Sequence, residues 1–143
     1  MNKSNYDRRW SKFFLVAALF NYAIGFPILL FSRWSFDQSF VEALGRDPMA
    51  IRLWADFGFA VILIGFGYQI ISRNVRKNRG IVLLGIIAKL FDVINLTLLF
   101  LWGFARRLVL IPAFIDGAFT VVFWFSHAPD EAEQHESRLV ANT

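Results

Sequence analysis

The sequence has no cysteine and few charged residues, and both deficits exclude whole classes of protein. Without cysteine, a disulfide framework, a thiolate zinc site, an iron–sulfur cluster and a cysteine nucleophile are all excluded. Charged residues make up 18% of the 143 residues, whereas a soluble domain is usually about 25% charged. The hydrophobic fraction of 57% and the mean hydropathy of +0.49 argue against a disordered chain and against a soluble enzyme.

Hydrophobic segments account for most of the chain. A helix needs about 20 mostly apolar residues to cross the hydrocarbon core of a bilayer. Segments of this length and composition occur at residues 13–31, 53–72, 80–102 and 108–126. The sequence therefore predicts an all-α protein, a four-helix transmembrane bundle with antiparallel, up-and-down topology.

Shorter features complete the predicted organisation. Residues 1–126 are expected to form a single membrane domain, followed by a polar cytoplasmic tail at residues 127–143. The acidic residues and histidines of this tail fit a solvated segment better than a metal site, so neither a metal nor a cofactor is predicted. Between the first two spans, residues 35–48 predict a short interfacial helix, because Phe36, Phe40, Val41 and Leu44 recur at helical spacing before Gly45 and Pro48.

Basic residues are distributed unequally on the two predicted sides of the membrane. The side with both termini has nine, and the opposite side has five. By the positive-inside rule, both termini lie in the cytoplasm of a multi-pass protein of the plasma membrane, which is the inner membrane if the source is bacterial. The net charge of +4 is then a topology signal, with attraction to anionic lipid, and no nucleic-acid partner is needed to explain it.

Polar residues inside the predicted spans are the one chemical feature that stands out. Lys89, Asp92 and Asn95 are spaced i, i+3 and i+6, on one side of the third span. A rise of about 1.5 Å per residue puts Asn21 at the depth of Lys89, and Asp116 at the depth of Asp92. The same reckoning puts Asp56 close to the depth of Asn95. Every span therefore contributes a polar group to one zone of the membrane.

These residues form the candidate ligand- or proton-binding site: Asn21, Asp56, Lys89, Asp92, Asn95 and Asp116. Each charge would cost about 2.5–3.5 kcal/mol at the centre of a lipid-facing helix, so the charges must face one another or water. Lys89 can neutralise either Asp92 or Asp116. A remaining carboxylate would suit proton exchange, or the binding of a cation or an amine. A purely structural role is the competing interpretation, since polar groups also join membrane helices.

Three short motifs resemble those of small bacterial four-helix membrane proteins of the DoxX-like type. They are the glycine-rich end of the second span with its basic turn (IGFGYQIISRNVRKNRG), the pair Gly85 and Lys89, and the pair Asp116 and Gly117. The resemblance covers roughly residues 10–125. It implies a four-helix membrane fold and, for some members, a place as an accessory subunit of a respiratory or quinone-linked redox complex. It carries over no catalytic residue.

The leading hypothesis is a non-enzymatic membrane protein whose polar pocket binds a small ligand or exchanges protons. The lipid bilayer is one partner, and a second membrane protein or a second copy of the chain is another. The alternatives are a structural accessory protein, a redox or intramembrane enzyme subunit acting on a quinone or lipid, and a small proton-coupled transporter. No catalytic residue is assigned.

Overall fold

The computed structural model describes residues 3–42 and 47–127, and within these ranges the regular elements are helices. The described residues are thus all-helical, as predicted, and four of the helices are long and apolar enough to cross a membrane. Residues 43–46 and 128–143, which include part of the predicted interfacial helix and most of the predicted tail, lie outside the described residues. The helices are α1 (Lys3–Leu30), α2 (Ser32–Ser39), α3 (Pro48–Arg73), α4 (Arg79–Leu101) and α5 (Leu110–His127).

The outer surface of the bundle is apolar. Large side chains such as Leu30, Phe91, Phe114 and Phe125 are more than 60% exposed. Water would disfavour so much exposed hydrocarbon, whereas acyl chains provide a matching solvent. The helices therefore present to their surroundings the surface that a bilayer requires.

The helix α2 differs from the predicted interfacial helix. It begins at Ser32 rather than residue 35 and ends at Ser39, so Phe40 and Val41 lie outside it. Both residues instead pair with the α4–α5 connection: Phe40 forms an isolated bridge with Ala105, and the Val41 N–H donates to the Phe104 carbonyl. These partners satisfy the backbone of an extended segment, so the helical spacing of the apolar side chains does not prolong the helix.

Helices α1 and α3 pack closely because glycines remove side chains at their crossing. A methyl group at Gly58 would lie 2.6 Å from Ile28, and one at Gly25 would lie 2.7 Å from Ile62. Further along, Gly65 lies against the ring of Tyr22. Small residues at these positions let two membrane helices approach more closely than larger side chains would allow.

An aromatic layer joins the two halves of the bundle. The rings of Phe14, Tyr68 and Phe123 are all buried, and each contacts the other two with centroids 4.9–6.2 Å apart. The Tyr68 ring also occupies the space left by Gly85, where a methyl group would lie 2.7 Å from it. One residue from each long helix thus contributes to a continuous packed layer.

Candidate functional site

Lys89 is the centre of a buried polar cluster. The residue is only 3% exposed, and its ammonium group donates to the Asp116 carboxylate at 2.5 Å and to the Asn21 side-chain carbonyl at 2.9 Å. The ammonium nitrogen also lies 5.7 Å from the centroid of the Phe20 ring. A single side chain of α4 therefore holds α1 and α5 together.

The pair of Lys89 and Asp116 resolves the energetic problem of a charge in hydrocarbon. Their side chains are 4% and 7% exposed, so neither is solvated by water. Either charge alone would be costly at this depth, and a close opposite charge offsets much of that cost. The pair is accordingly a strong constraint on how α4 and α5 pack.

Asp92 lies close to Lys89 and Asp116 but forms no hydrogen bond or salt bridge with either. It is one turn beyond Lys89 on α4 and only 9% exposed. Among the residues that the structure describes, no hydrogen-bond or salt-bridge partner contacts its carboxylate. The cluster of Asn21, Lys89, Asp92 and Asp116, here called the polar cluster, therefore contains one cation, two carboxylates and one amide.

The Asn21 side chain is only partly satisfied. Its carbonyl accepts from Lys89, but its amide nitrogen is buried and has no hydrogen-bond partner. Native proteins leave few buried donors unpaired, because each costs about 1–3 kcal/mol. Asn21 and Asp92, which carry this unpaired donor and an unpaired carboxylate, line the same cavity.

A partly open cavity of about 290 Å³ adjoins the polar cluster. All four residues of the polar cluster line it, and most of the other lining groups are apolar. Aromatic side chains contribute Phe20, Trp54 and Phe57 to the walls, and aliphatic ones include Val61 and Leu96. An apolar chamber with a few convergent polar groups is the usual composition of a small-molecule site.

The order of residues along each helix shows which end of the cavity is closed. On α1 the aromatic layer (Phe14) is followed by the polar cluster (Asn21) and then by the cavity lining up to Ile28. On α5 the order is reversed, from the lining at Ile111 through Asp116 to Phe123. The aromatic layer therefore closes the end of the bundle beyond the polar cluster, and the polar cluster forms the floor of the cavity.

The opening of the cavity lies between α1 and α5. Three lining residues also belong to the outer surface: Ala23 on α1, Leu108 just before α5, and Ile111 in the first turn of α5. At the far end, α2 covers the bundle, since Trp54 donates to the Ser35 hydroxyl at 2.9 Å and the Arg106 N–H donates to the Ser39 carbonyl at 2.8 Å. The cavity thus communicates with the apolar exterior through its side.

The structure places two of the candidate residues outside the polar cluster. Asp56 is exposed and pairs with Arg52 at 3.2 Å, one turn earlier on the same helix. Asn95 is also exposed. A helix turns about 100° per residue, so Asp92 lies about 60° around α4 from Lys89, whereas Asn95 lies about 120° away. Equal depth in the membrane therefore does not bring these two residues to the site.

Sequence reasoning missed the contribution of the aromatic residues. Tyr68 packs beneath the polar cluster, where its hydroxyl lies 3.4 Å from the Gly85 carbonyl. Phe20 and Trp54 line the cavity, and nothing in the sequence beyond their aromatic character indicated this position. The glycine one turn before Lys89 was the one available clue, because it marks a close approach by a large neighbour.

Metal binding has no support in the residues described. No group of three or more histidine, aspartate or glutamate side chains in the ranges 3–42 and 47–127 is arranged to hold a metal ion. The polar cluster itself has its central position taken by the Lys89 ammonium.

Comparison of the chain with protein-family models, with curated proteins and with solved structures finds no match. The interpretation of the site therefore depends on its geometry and chemistry.

A double-mutant cycle on Lys89→Met and Asp116→Asn measures the coupling within the buried pair. Breaking a buried ion pair by removing one partner typically costs about 3–5 kcal/mol, so we expect a coupling of roughly 2–3 kcal/mol in the free energy of unfolding. The measurement is reversible unfolding of the purified protein in mixed micelles.

The exposed pair provides a matched control within the same chain. Arg52→Met and Asp56→Asn remove an i, i+4 ion pair whose side chains are 74% and 55% exposed, and we expect a coupling of at most about 0.5 kcal/mol. Equal coupling in the two cycles would show that Lys89 and Asp116 do not meet in a dry interior.

Proposed function

We propose that this small multi-pass membrane protein binds a small amphipathic ligand in the cavity above the polar cluster. The observation that carries the proposal is the position of the polar cluster at the floor of an otherwise apolar cavity. A ligand with an apolar body and one polar end matches this division. We also propose that the protein is related to the DoxX-like proteins that its motifs resemble, and that it acts as a subunit of a larger membrane complex.

The volume of the cavity indicates how much of a ligand it can enclose. At about 30 Å³ for each water-sized group, a volume of about 290 Å³ accommodates roughly ten non-hydrogen atoms. The side opening between α1 and α5 faces the region that acyl chains occupy in a bilayer. A ligand dissolved in the membrane would therefore reach the cavity without crossing the aromatic layer.

A purely structural role is the second candidate, and the direct contact between Lys89 and Asp116 favours it. A structural ion pair, however, needs no adjoining chamber and no additional carboxylate without a partner. Transport is less well supported, because the aromatic layer closes one end of the interior. Proton exchange at Asp92 is compatible with ligand binding, and no residue is proposed as catalytic.

Binding of 2-phenylethanol tests the proposal. Its nine non-hydrogen atoms combine an aromatic body with one polar end, and it is neutral. We expect saturable binding to the protein in phosphatidylcholine nanodiscs, measured by equilibrium dialysis with the radiolabelled compound and with empty nanodiscs subtracted. Val61→Phe adds a ring to the cavity lining and should abolish saturable binding.

The matched control is Ala60→Phe, one residue earlier on the same helix, where the side chain is exposed and outside the lining. It should bind the probe like the original protein. Thermal unfolding shows whether both variants fold, and Ile24→Phe is the second cavity-filling variant. Binding no greater than in empty nanodiscs, or equal binding in both variants, would contradict a ligand-binding role and leave the structural one.

We further propose the up-and-down topology, with both termini in the cytoplasm and α2 at the outer surface. Two observations support the order of the helices. Ser11 near the start of α1 contacts Ser72 at the end of α3, and Tyr68 late in α3 contacts Gly85 early in α4. The nine-to-five distribution of basic residues supports the orientation, in the plasma membrane or the bacterial inner membrane.

Single cysteines test this topology directly, because the chain has no cysteine to remove. Lys77→Cys lies in the exposed α3–α4 turn, and Gln38→Cys lies on the exposed side of α2. A membrane-impermeant maleimide should label residue 38 in intact cells and residue 77 only after permeabilisation. Labelling of both in intact cells would contradict the up-and-down arrangement, and the reverse pattern would contradict the orientation.

A further inference from the structure

With both of its carboxylates ionised, the polar cluster carries two negative charges and one positive charge. Lys89 is hydrogen-bonded to Asp116 and Asn21, so its positive charge is already directed at one of the two carboxylates. Asp92 has no partner among the described side chains and lines the cavity. A second positive charge next to Asp92 would give the polar cluster two positive and two negative charges.

The side chains in residues 3–42 and 47–127 do not supply that second charge. Among the described residues, Lys89 is the one basic residue in the cavity lining. Arg52, on the helix that forms one wall, is exposed and already paired with Asp56. Arg106 and Arg107, in the α4–α5 connection, are exposed and outside the lining. Since the described side chains offer no such cation, we look to the occupant of the cavity to bring it.

The walls of the cavity determine what kind of cation fits. Inorganic cations such as Ca²⁺ and Mg²⁺ take about six or more oxygen ligands, and two of the five side-chain oxygens in the polar cluster already accept from Lys89. Most of the lining is instead aliphatic or aromatic, and Trp54 and Phe57 stack with their ring centroids 5.2 Å apart. An ammonium group attached to a hydrocarbon body suits both the Asp92 carboxylate and the apolar walls. Aromatic faces in those walls also attract organic cations.

We infer that the cavity selects amphipathic amines, with the ligand's ammonium group donating to Asp92 and its apolar body lying against Phe57, Val61 and Leu96. This inference rests on the proposed function and specifies the class of ligand. It assigns Asp92 to ligand recognition and the Lys89–Asp116 pair to holding the floor of the cavity in place.

Three probes that differ in the charge of one end test the inference. They are 2-phenylethylamine, which is an ammonium ion at neutral pH, neutral 2-phenylethanol, and anionic phenylacetate. Equilibrium dialysis against the protein in phosphatidylcholine nanodiscs, with empty nanodiscs subtracted, gives each dissociation constant. A hydrogen bond to a charged partner corresponds to roughly tenfold or more in affinity, so we expect the amine to bind at least about tenfold more tightly than the alcohol, and phenylacetate to bind most weakly.

Asp92→Asn keeps the shape of the side chain and removes its charge, so it should abolish the preference for the amine over the alcohol. Asp56→Asn is the matched control, because it removes an exposed carboxylate outside the cavity and should keep the preference. Thermal unfolding verifies that both variants fold, and Asp92→Glu, which retains the charge, should retain a preference for the amine.

The possible failures are distinguishable. If 2-phenylethanol binds in a manner that Val61→Phe abolishes, but the amine binds no more tightly, the amine inference is wrong and the proposed function stands. A preference that survives in Asp92→Asn would also overturn the inference, since the selectivity would then arise elsewhere. If none of the three probes binds saturably, the proposed function fails and the inference fails with it.

Discussion

The contact between Lys89 and Asp116 is the constraint on which the rest of the bundle interior depends. A lysine and an aspartate in the hydrocarbon region must face an opposite charge or water, and here they meet at 2.5 Å with almost no exposure. Their contact fixes the depth at which α4 and α5 face each other, and the bond from Lys89 to Asn21 brings α1 to the same level. The aromatic layer then packs below this level, and the cavity lies above it.

The sequence predicted the depth of each polar residue in the membrane better than the direction in which its side chain faces. Asn21 and Lys89 share a depth because the rise per residue is fixed, and the structure brings them into contact. Asp56 and Asn95 share a depth too, yet both face outward. The rotation of each helix is decided by packing at glycines such as Gly58 and Gly65 and by large rings such as Tyr68. Those neighbours are distant in sequence, so the facing of a side chain cannot be read from one helix alone.

Connections were the least predictable part of the fold. The four long apolar helices follow from length and composition. The segment after α2 does not, because Phe40 and Val41 take their backbone partners from Ala105 and Phe104, which lie far along the chain. A helical repeat of apolar side chains describes a local preference, and here a tertiary pairing outweighs it. The same pairing helps to close the end of the cavity farthest from the polar cluster.

Solid-state nuclear magnetic resonance of the protein in bilayers tests the central claim most directly. With lysine labelled at ¹⁵Nζ and aspartate at ¹³Cγ, dipolar recoupling detects a carboxylate in bonding contact with an ammonium group. We predict strong recoupling for one lysine, Lys89, and its loss in Asp116→Asn. Recoupling that is absent, or that persists unchanged in Asp116→Asn, would contradict the buried contact between these two side chains.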